Sequence, residues 1–156
     1  MTVYVGVVGG VEASPEEEAV AEEVGRLLAE HGAVVVSGGL DGVMAAACRG
    51  ARGAGGTTIG ILPGDERSTA NPWVDVAIPT GLGEARNALV VRTSDALIAV
   101  GGEFGTLSEI ALALKIGVPV VGIGTWTVER PGSPDDPLLR AGDAAQAVEL
   151  ALERIG

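Results

Sequence analysis

The stretch DALIAVGGEFGTLSE (95–109) decides the architecture. Its first part, DALIAV (95–100), is a short, nearly unbroken apolar run, the pattern of a strand buried on both faces. Gly101 and Gly102 follow at once, and a helical segment is expected from Thr106 to Ile116, with Gly117 as its cap. Glycines in such a turn let the backbone approach a ligand, and a helix beginning near Gly105 aims its unpaired N–H groups at an anion. Thr106 either caps that helix or donates its hydroxyl to a phosphate. A tight turn closed by a Thr106–Glu109 capping box accounts for the same spacing.

The same strand–glycine–helix order recurs outward from this segment. VYVGVV (3–8) runs into Gly9-Gly10, AVVVS (33–37) into Gly38-Gly39, and TTIGIL (57–62) into Pro63-Gly64. The first helix is announced by Ser14 as N-cap, Pro15 at the first helical position and Glu16, Glu17 and Glu18 at the positive end, and it closes at His31-Gly32. A second helix spans Asp41 to Arg52, with Asp41 as its cap. After a polar loop to Pro72, WVDVAI (73–78) is a short strand, and the segment Gly81 to Thr93 contains a helix carrying Arg86. VPVVGI (118–123) is the last strand, Trp126 to Pro137 is a loop, and Asp143 caps a final helix. This alternation predicts an α/β fold: one Rossmann-like, doubly wound, mainly parallel sheet with helices on both faces, forming one domain over residues 1–156, which the resemblance given below makes a nucleotide-binding one. Right-handed crossovers gather the glycine turns at one sheet edge, where ligands bind at the point of strand-order reversal.

Composition bounds the partners. With 156 residues, 47% hydrophobic and only 3% aromatic, the chain suits a Val/Ile/Leu sheet under Ala-rich helices. A formal charge of −11 repels nucleic acid, although a small anion held by oriented N–H groups and one arginine remains compatible with it. Cys48 is the one cysteine, so no intrachain disulfide forms. No basic leader opens the chain and no apolar run reaches membrane-spanning length, which together predict a cytoplasmic protein without a membrane partner. Cys48 is read as core and His31 as a helix end, and no side-chain cluster has metal-ligand spacing. Trp73 and Trp126 either flank a flat ligand ring or serve packing.

Two further motifs join the first. Ser37-Gly38-Gly39-Leu40-Asp41-Gly42-Val43-Met44 repeats the strand–turn–helix logic without matching the dinucleotide fingerprint or a P-loop. Gly81-Leu82-Gly83-Glu84-Ala85-Arg86-Asn87 presents an arginine suited either to clamping a phosphate or to a surface ion pair. The candidate binding set is Gly9, Gly10, Ser37, Gly38, Gly39, Gly42, Arg86, Asn87, Gly101, Gly102, Gly105 and Thr106.

Taken in order, the turn Gly38 to Met44, the strand end Gly56 to Pro63, Arg86-Asn87 and Gly101 to Glu109 resemble the SLOG/Lonely Guy-like Rossmann superfamily. Its members are often labelled "possible lysine decarboxylase", and its best-known enzymes are cytokinin-activating phosphoribohydrolases. In that family's pattern the arginine and the last glutamate act in cleaving the N-glycosidic bond of a nucleoside monophosphate, which implies Arg86 and Glu109 as catalytic residues if this chain is a hydrolase. Three positions depart from the pattern: Asn87 stands for a lysine, Gly101 for a proline and Glu103 for a glycine. The segment from Ala85 to Gly122 is more similar to the branch containing molybdenum-cofactor carrier proteins. The resemblance therefore implies a binding or carrier protein for a phosphorylated nucleotide-like or pterin ligand of the molybdopterin type, with nucleoside 5′-monophosphate phosphoribohydrolase as the alternative. It also implies a homodimer formed through the helix after Arg86 or the one after Gly105. Lysine decarboxylation is excluded by the lack of room for a pyridoxal-phosphate domain, and Lys115, the one lysine, belongs at a helix end.

Overall fold

The computed structural model describes all residues from Met1 to Gly156. Strands β1 (Tyr4–Gly9), β2 (Val34–Ser37), β3 (Thr58–Leu62), β4 (Val76–Pro79), β5 (Ala96–Val100), β6 (Val120–Ile123) and β7 (Leu139–Arg140) form one sheet. Helices α1 (Pro15–Glu30), α2 (Val43–Gly53), α3 (Asn87–Thr93), α4 (Phe104–Ile116) and α5 (Ala144–Ile155) connect or follow them. The strand order is β4-β3-β2-β1-β5-β6-β7 and every pairing is parallel, so the fold is the expected doubly wound, Rossmann-like α/β architecture.

Alternation within each strand divides the core in two. Val5 and Val7 of β1 and Ile98 and Val100 of β5 pack under α1, α2 and α5. Val8 of β1 and Leu97 and Ala99 of β5 turn to the opposite face, against Val90 and Val91 of α3 and Ile110 and Ala113 of α4. Both faces are therefore covered, which is why these strands carry no polar alternation.

Local chemistry fixes the helix starts. The Ser14 hydroxyl accepts from Glu17 N at 3.1 Å and the Glu17 carboxylate accepts from Ser14 N at 3.0 Å, a complete capping box. Asp143 caps α5 by accepting from Gln146 N at 2.8 Å. Two expected starts move. The N-cap of α2 is Gly42 at φ 65°, not Asp41. There the chain turns tightly under the end of β1, where a Cβ would collide with the Gly10 and Val11 carbonyls, and Val43 N donates to Gly10 O at 3.1 Å. Helix α4 begins at Phe104 rather than Thr106, so Glu103 is its N-cap and contributes no side-chain cap bond. The Thr106–Glu109 capping box is accordingly absent, and both residues are buried within the helix.

Two other expectations change. β4 starts at Val76 instead of Trp73, because Asn71 Oδ1 accepts from Trp73 N at 3.0 Å and Asp75 Oδ2 accepts from Thr58 N at 2.9 Å, which hold the preceding residues in a turn. β6 is not the last strand: Leu139–Arg140 adds β7 beyond it. Two residues are too few to leave a periodic signature in sequence.

Candidate functional site

The chain winds outward from β1 to β4 on one side and from β5 to β7 on the other, so strand order reverses between β1 and β5. The carboxyl ends of those two strands open a cleft of about 460 Å³. Gly9 and Gly10 at the end of β1, with Val11 and Glu12 after them, form one wall. Met44 of α2, Arg86 and Asn87 at the start of α3, and Glu103, Gly105, Thr106 and Glu109 at the start of α4 form the rest.

Three backbone amides at the start of α4, those of Phe104, Gly105 and Thr106, have no acceptor, since the first bond at this end runs from Leu107 N to Glu103 O at 3.1 Å. No side chain caps them, and Gly105 and Thr106 face the cleft. This end of α4 offers N–H donors and the positive pole of the helix together. Gly102, at φ 99°, lies so close to Thr106 that a Cβ would strike the Thr106 hydroxyl, so the glycine permits the turn that brings α4 to the sheet edge.

Arg86 reaches the cleft from the 3₁₀ turn Gly83–Arg86, which leads directly into α3. Its guanidinium hydrogen-bonds Asn87 Oδ1 and makes a long 3.5 Å contact to Gly38 O, while Nε is buried with no partner. Burial lowers the Arg86 pKa, and the nearby Glu109 opposes that shift. Glu109 is only 7% exposed. Burial drives its pKa up to about 8, against the pull of Arg86. Near neutral pH the cleft therefore presents a protonated carboxyl, a guanidinium and free N–H groups on one side, with the exposed carboxylates of Glu12 and Glu103 at its rim.

The candidate set divides. Gly9, Gly10, Arg86, Asn87, Gly105, Thr106 and Glu109 line one cavity. Ser37, Gly38, Gly39, Gly42, Gly101 and Gly102 do not line it. Ser37 is fully buried, with its hydroxyl accepting from Gly39 N at 3.1 Å and lying 3.6 Å from the Cys48 sulfur. Gly38 lies under the Arg86 guanidinium, and Gly39 is pressed against Leu62 and Gly60. Gly42 packs under the β1 turn, and Gly101 and Gly102 border an adjoining cavity. Val11, Glu12, Met44 and Glu103 are lining residues outside the candidate set. Gly9-Gly10 pointed to the neighbourhood of the first two, but no residue pattern distinguishes Glu12 from the acidic run of α1 that follows it.

The family described as SLOG cluster4 matches residues 2–148. Among solved structures, the molybdenum cofactor binding protein of Rippkaea orientalis is 37% identical with a TM-score of 0.91, over 100% of this chain and 99% of that one. The molybdenum cofactor carrier protein of Chlamydomonas reinhardtii is 36% identical with a TM-score of 0.86, over 99% of each chain. The cytokinin riboside 5′-monophosphate phosphoribohydrolase LOG of Oryza sativa subsp. japonica is 35% identical over 134 residues, 81% of this chain. The chain spans about half of that rice relative, 54% of its length. With a match over nearly its whole length, the chain belongs to the SLOG cluster4 family.

Proposed function

We propose that this chain binds and carries a phosphorylated small molecule, nucleotide-like or a pterin of the molybdenum-cofactor type, with the phosphate seated between Arg86 and the start of α4. One observation carries this reading. A guanidinium whose Nε is buried without a partner faces the same cleft as the uncapped N–H groups of Gly105 and Thr106. A phosphate supplies acceptors to both at once, and a planar arginine fork suits it. The full-length similarity to two proteins described as binding or carrying molybdenum cofactor supports the same ligand class. The carrier acts as a homodimer through the outer faces of α3 and α4.

The second reading, a phosphoribohydrolase acting on nucleoside 5′-monophosphates, is favoured by Glu109 specifically. A carboxyl held protonated in an anion cleft can deliver a proton to a leaving base, while Arg86 holds the phosphate. Incubation with AMP and related monophosphates, assayed for free base and ribose 5-phosphate, separates the two. Binding without turnover, lost in Arg86→Ala, supports the carrier; turnover lost in Glu109→Gln supports the hydrolase. Absence of binding to phosphate ligands and to pterins alike overturns both.

A further inference from the structure

The turn Ser37-Gly38-Gly39 carries one of the chain's glycine motifs, yet none of its residues lines the anion cleft. Unlike Gly42, Gly38 has no positive φ and meets no backbone obstacle. The atoms nearest to its missing Cβ are all side-chain ends: a Cβ there would lie 2.7 Å from Arg86 Nη2, 2.9 Å from Arg86 Cζ and 2.8 Å from Met44 Sδ. Each separation is well inside van der Waals contact, so the guanidinium occupies room that any side chain at position 38 would need. Its sequence neighbour holds it from a second side. Asn87 Oδ1 accepts from Arg86 Nη1, and the Asn87 amide nitrogen approaches Ser108 Oγ at 3.5 Å. The Ser108 hydroxyl in turn donates to Gly105 O at 2.6 Å, in the first turn of α4. No salt bridge anchors Arg86.

We propose that Gly38 and Asn87 are positioning residues that seat the Arg86 guanidinium for the anion, Gly38 by leaving it the space of a side chain and Asn87 by holding Nη1. The inference rests on the reading of the cleft as a phosphate site, and it names the residues that set the arginine there before any ligand arrives. An unheld arginine surrenders its rotamer freedom when it meets an anion, which weakens binding. Here that freedom is lost on folding instead. The fork keeps donors to spare, because Asn87 engages only Nη1 and the 3.5 Å contact from Nη2 to Gly38 O is too long to commit the other end. The glycine motif thus serves the site through Arg86, without touching the cleft itself.

The test pairs titration of the whole protein with ribose 5-phosphate and proton–nitrogen correlation spectra of the arginine side chains, with the Arg86 Nε signal assigned by its absence in Arg86→Ala. Nε is buried, so its proton should exchange slowly with water in the wild type. Gly38→Ala should fold, since only the flexible ends of Arg86 and Met44 must move, and should lose that protection. Binding of ribose 5-phosphate should weaken by roughly three- to tenfold, the range for having to fix one rotamer-rich side chain on binding. Asn87→Ala should do the same, whereas Asn87→Asp keeps the acceptor and should retain the slow exchange. Wild-type affinity in both Gly38→Ala and Asn87→Ala overturns the seat and leaves the phosphate site standing. Weakened binding with the Nε proton still protected also overturns it, since the loss would then come through α4 or the fold at large. A Gly38→Ala chain that fails to fold overturns the role of Gly38, and fast exchange in Asn87→Asp overturns that of Asn87. A wild type that does not bind ribose 5-phosphate overturns the phosphate reading and this inference with it.

Discussion

Arg86 and Glu109 line the same cleft, yet no ion pair within 4.0 Å joins them. Burial lowers the pKa of the first and raises that of the second to about 8. Each keeps the other from shifting further, but neither neutralises the other by direct contact. A ligand of the proposed kind would meet both a guanidinium and a neutral carboxyl in this one cleft.

A pH dependence of stability follows. A carboxyl whose pKa is higher folded than unfolded stabilises the fold fully below its unfolded value and loses that contribution as pH rises through its folded value. For Glu109 the window runs from about 4.5 to about 8. At ~1.4 kcal/mol per unit, the upper bound on the loss is a few kcal/mol. Thermal melts from pH 5 to pH 8.5 should show the wild type declining more steeply than Glu109→Gln. Parallel curves would mean that Glu109 ionises without penalty and that the cleft is wetter than its burial implies.

Arg86→Ala should weaken binding of ribose 5-phosphate at least roughly tenfold while leaving the melting temperature near that of the wild type, because the removed group leaves no buried charge behind. Arg86→Lys should recover little, as an ammonium lacks the planar fork that presents two donors to one phosphate. Full recovery by lysine, read by titration at fixed ionic strength, would reduce the role of Arg86 to that of a point charge.

The fold was legible in sequence because apolar runs ending in glycine, alternating with capped helices, leave few other arrangements. The errors have local causes. Asp41 looked like a cap because its type favours caps, but the end of β1 lies too close for a Cβ at the position where α2 starts, and Gly42 takes it. Thr106 looked like a helix start for the same reason, and the turn permitted by Gly102 lets α4 begin earlier. Seven of the eleven residues that line the cleft could be named from sequence motifs. Glu12 could not, because its place at the cleft depends on where the β1 turn points, which no spacing within that loop encodes.

One packing contact had no sequence signal at all. α1 and α2 cross so closely at Gly25 and Gly50 that a Cβ on Gly25 would strike the Ala47 carbonyl and one on Gly50 the Glu22 carbonyl. These obstacles are backbone atoms, so the helices must separate to accommodate a methyl group, and the Arg49–Glu22 ion pair at 3.0 Å bridges the same crossing. Gly25→Ala and Gly50→Ala should each destabilise the protein by roughly 1–3 kcal/mol, despite the better helix propensity of alanine. Gly53→Ala, in the same helix with open space around it, is the control and should be neutral or stabilising in urea unfolding. A stabilising Gly50→Ala would show that the crossing has slack.

The outer face of α3 and α4 bears on assembly. Leu82 is 53% exposed, Leu89 38% and Phe104 75%, and all three lie on or just before these two helices. The expected homodimer would bury them, and α4 is apolar enough around its circumference to face both the sheet and a second copy. Light scattering at micromolar concentration should give twice the 15.5 kDa chain mass, and Leu89→Asp should return the protein to one chain without altering its circular dichroism. The edge strand β4 offers a competing surface, with Val76 46% and Ile78 43% exposed. Ile78→Lys discriminates between them: a charge on an edge strand blocks sheet-to-sheet pairing and leaves a helix-mediated dimer intact. A dimer that survives Leu89→Asp but dissociates in Ile78→Lys would place the interface at the sheet edge, and a wild type of single-chain mass would remove the dimer altogether.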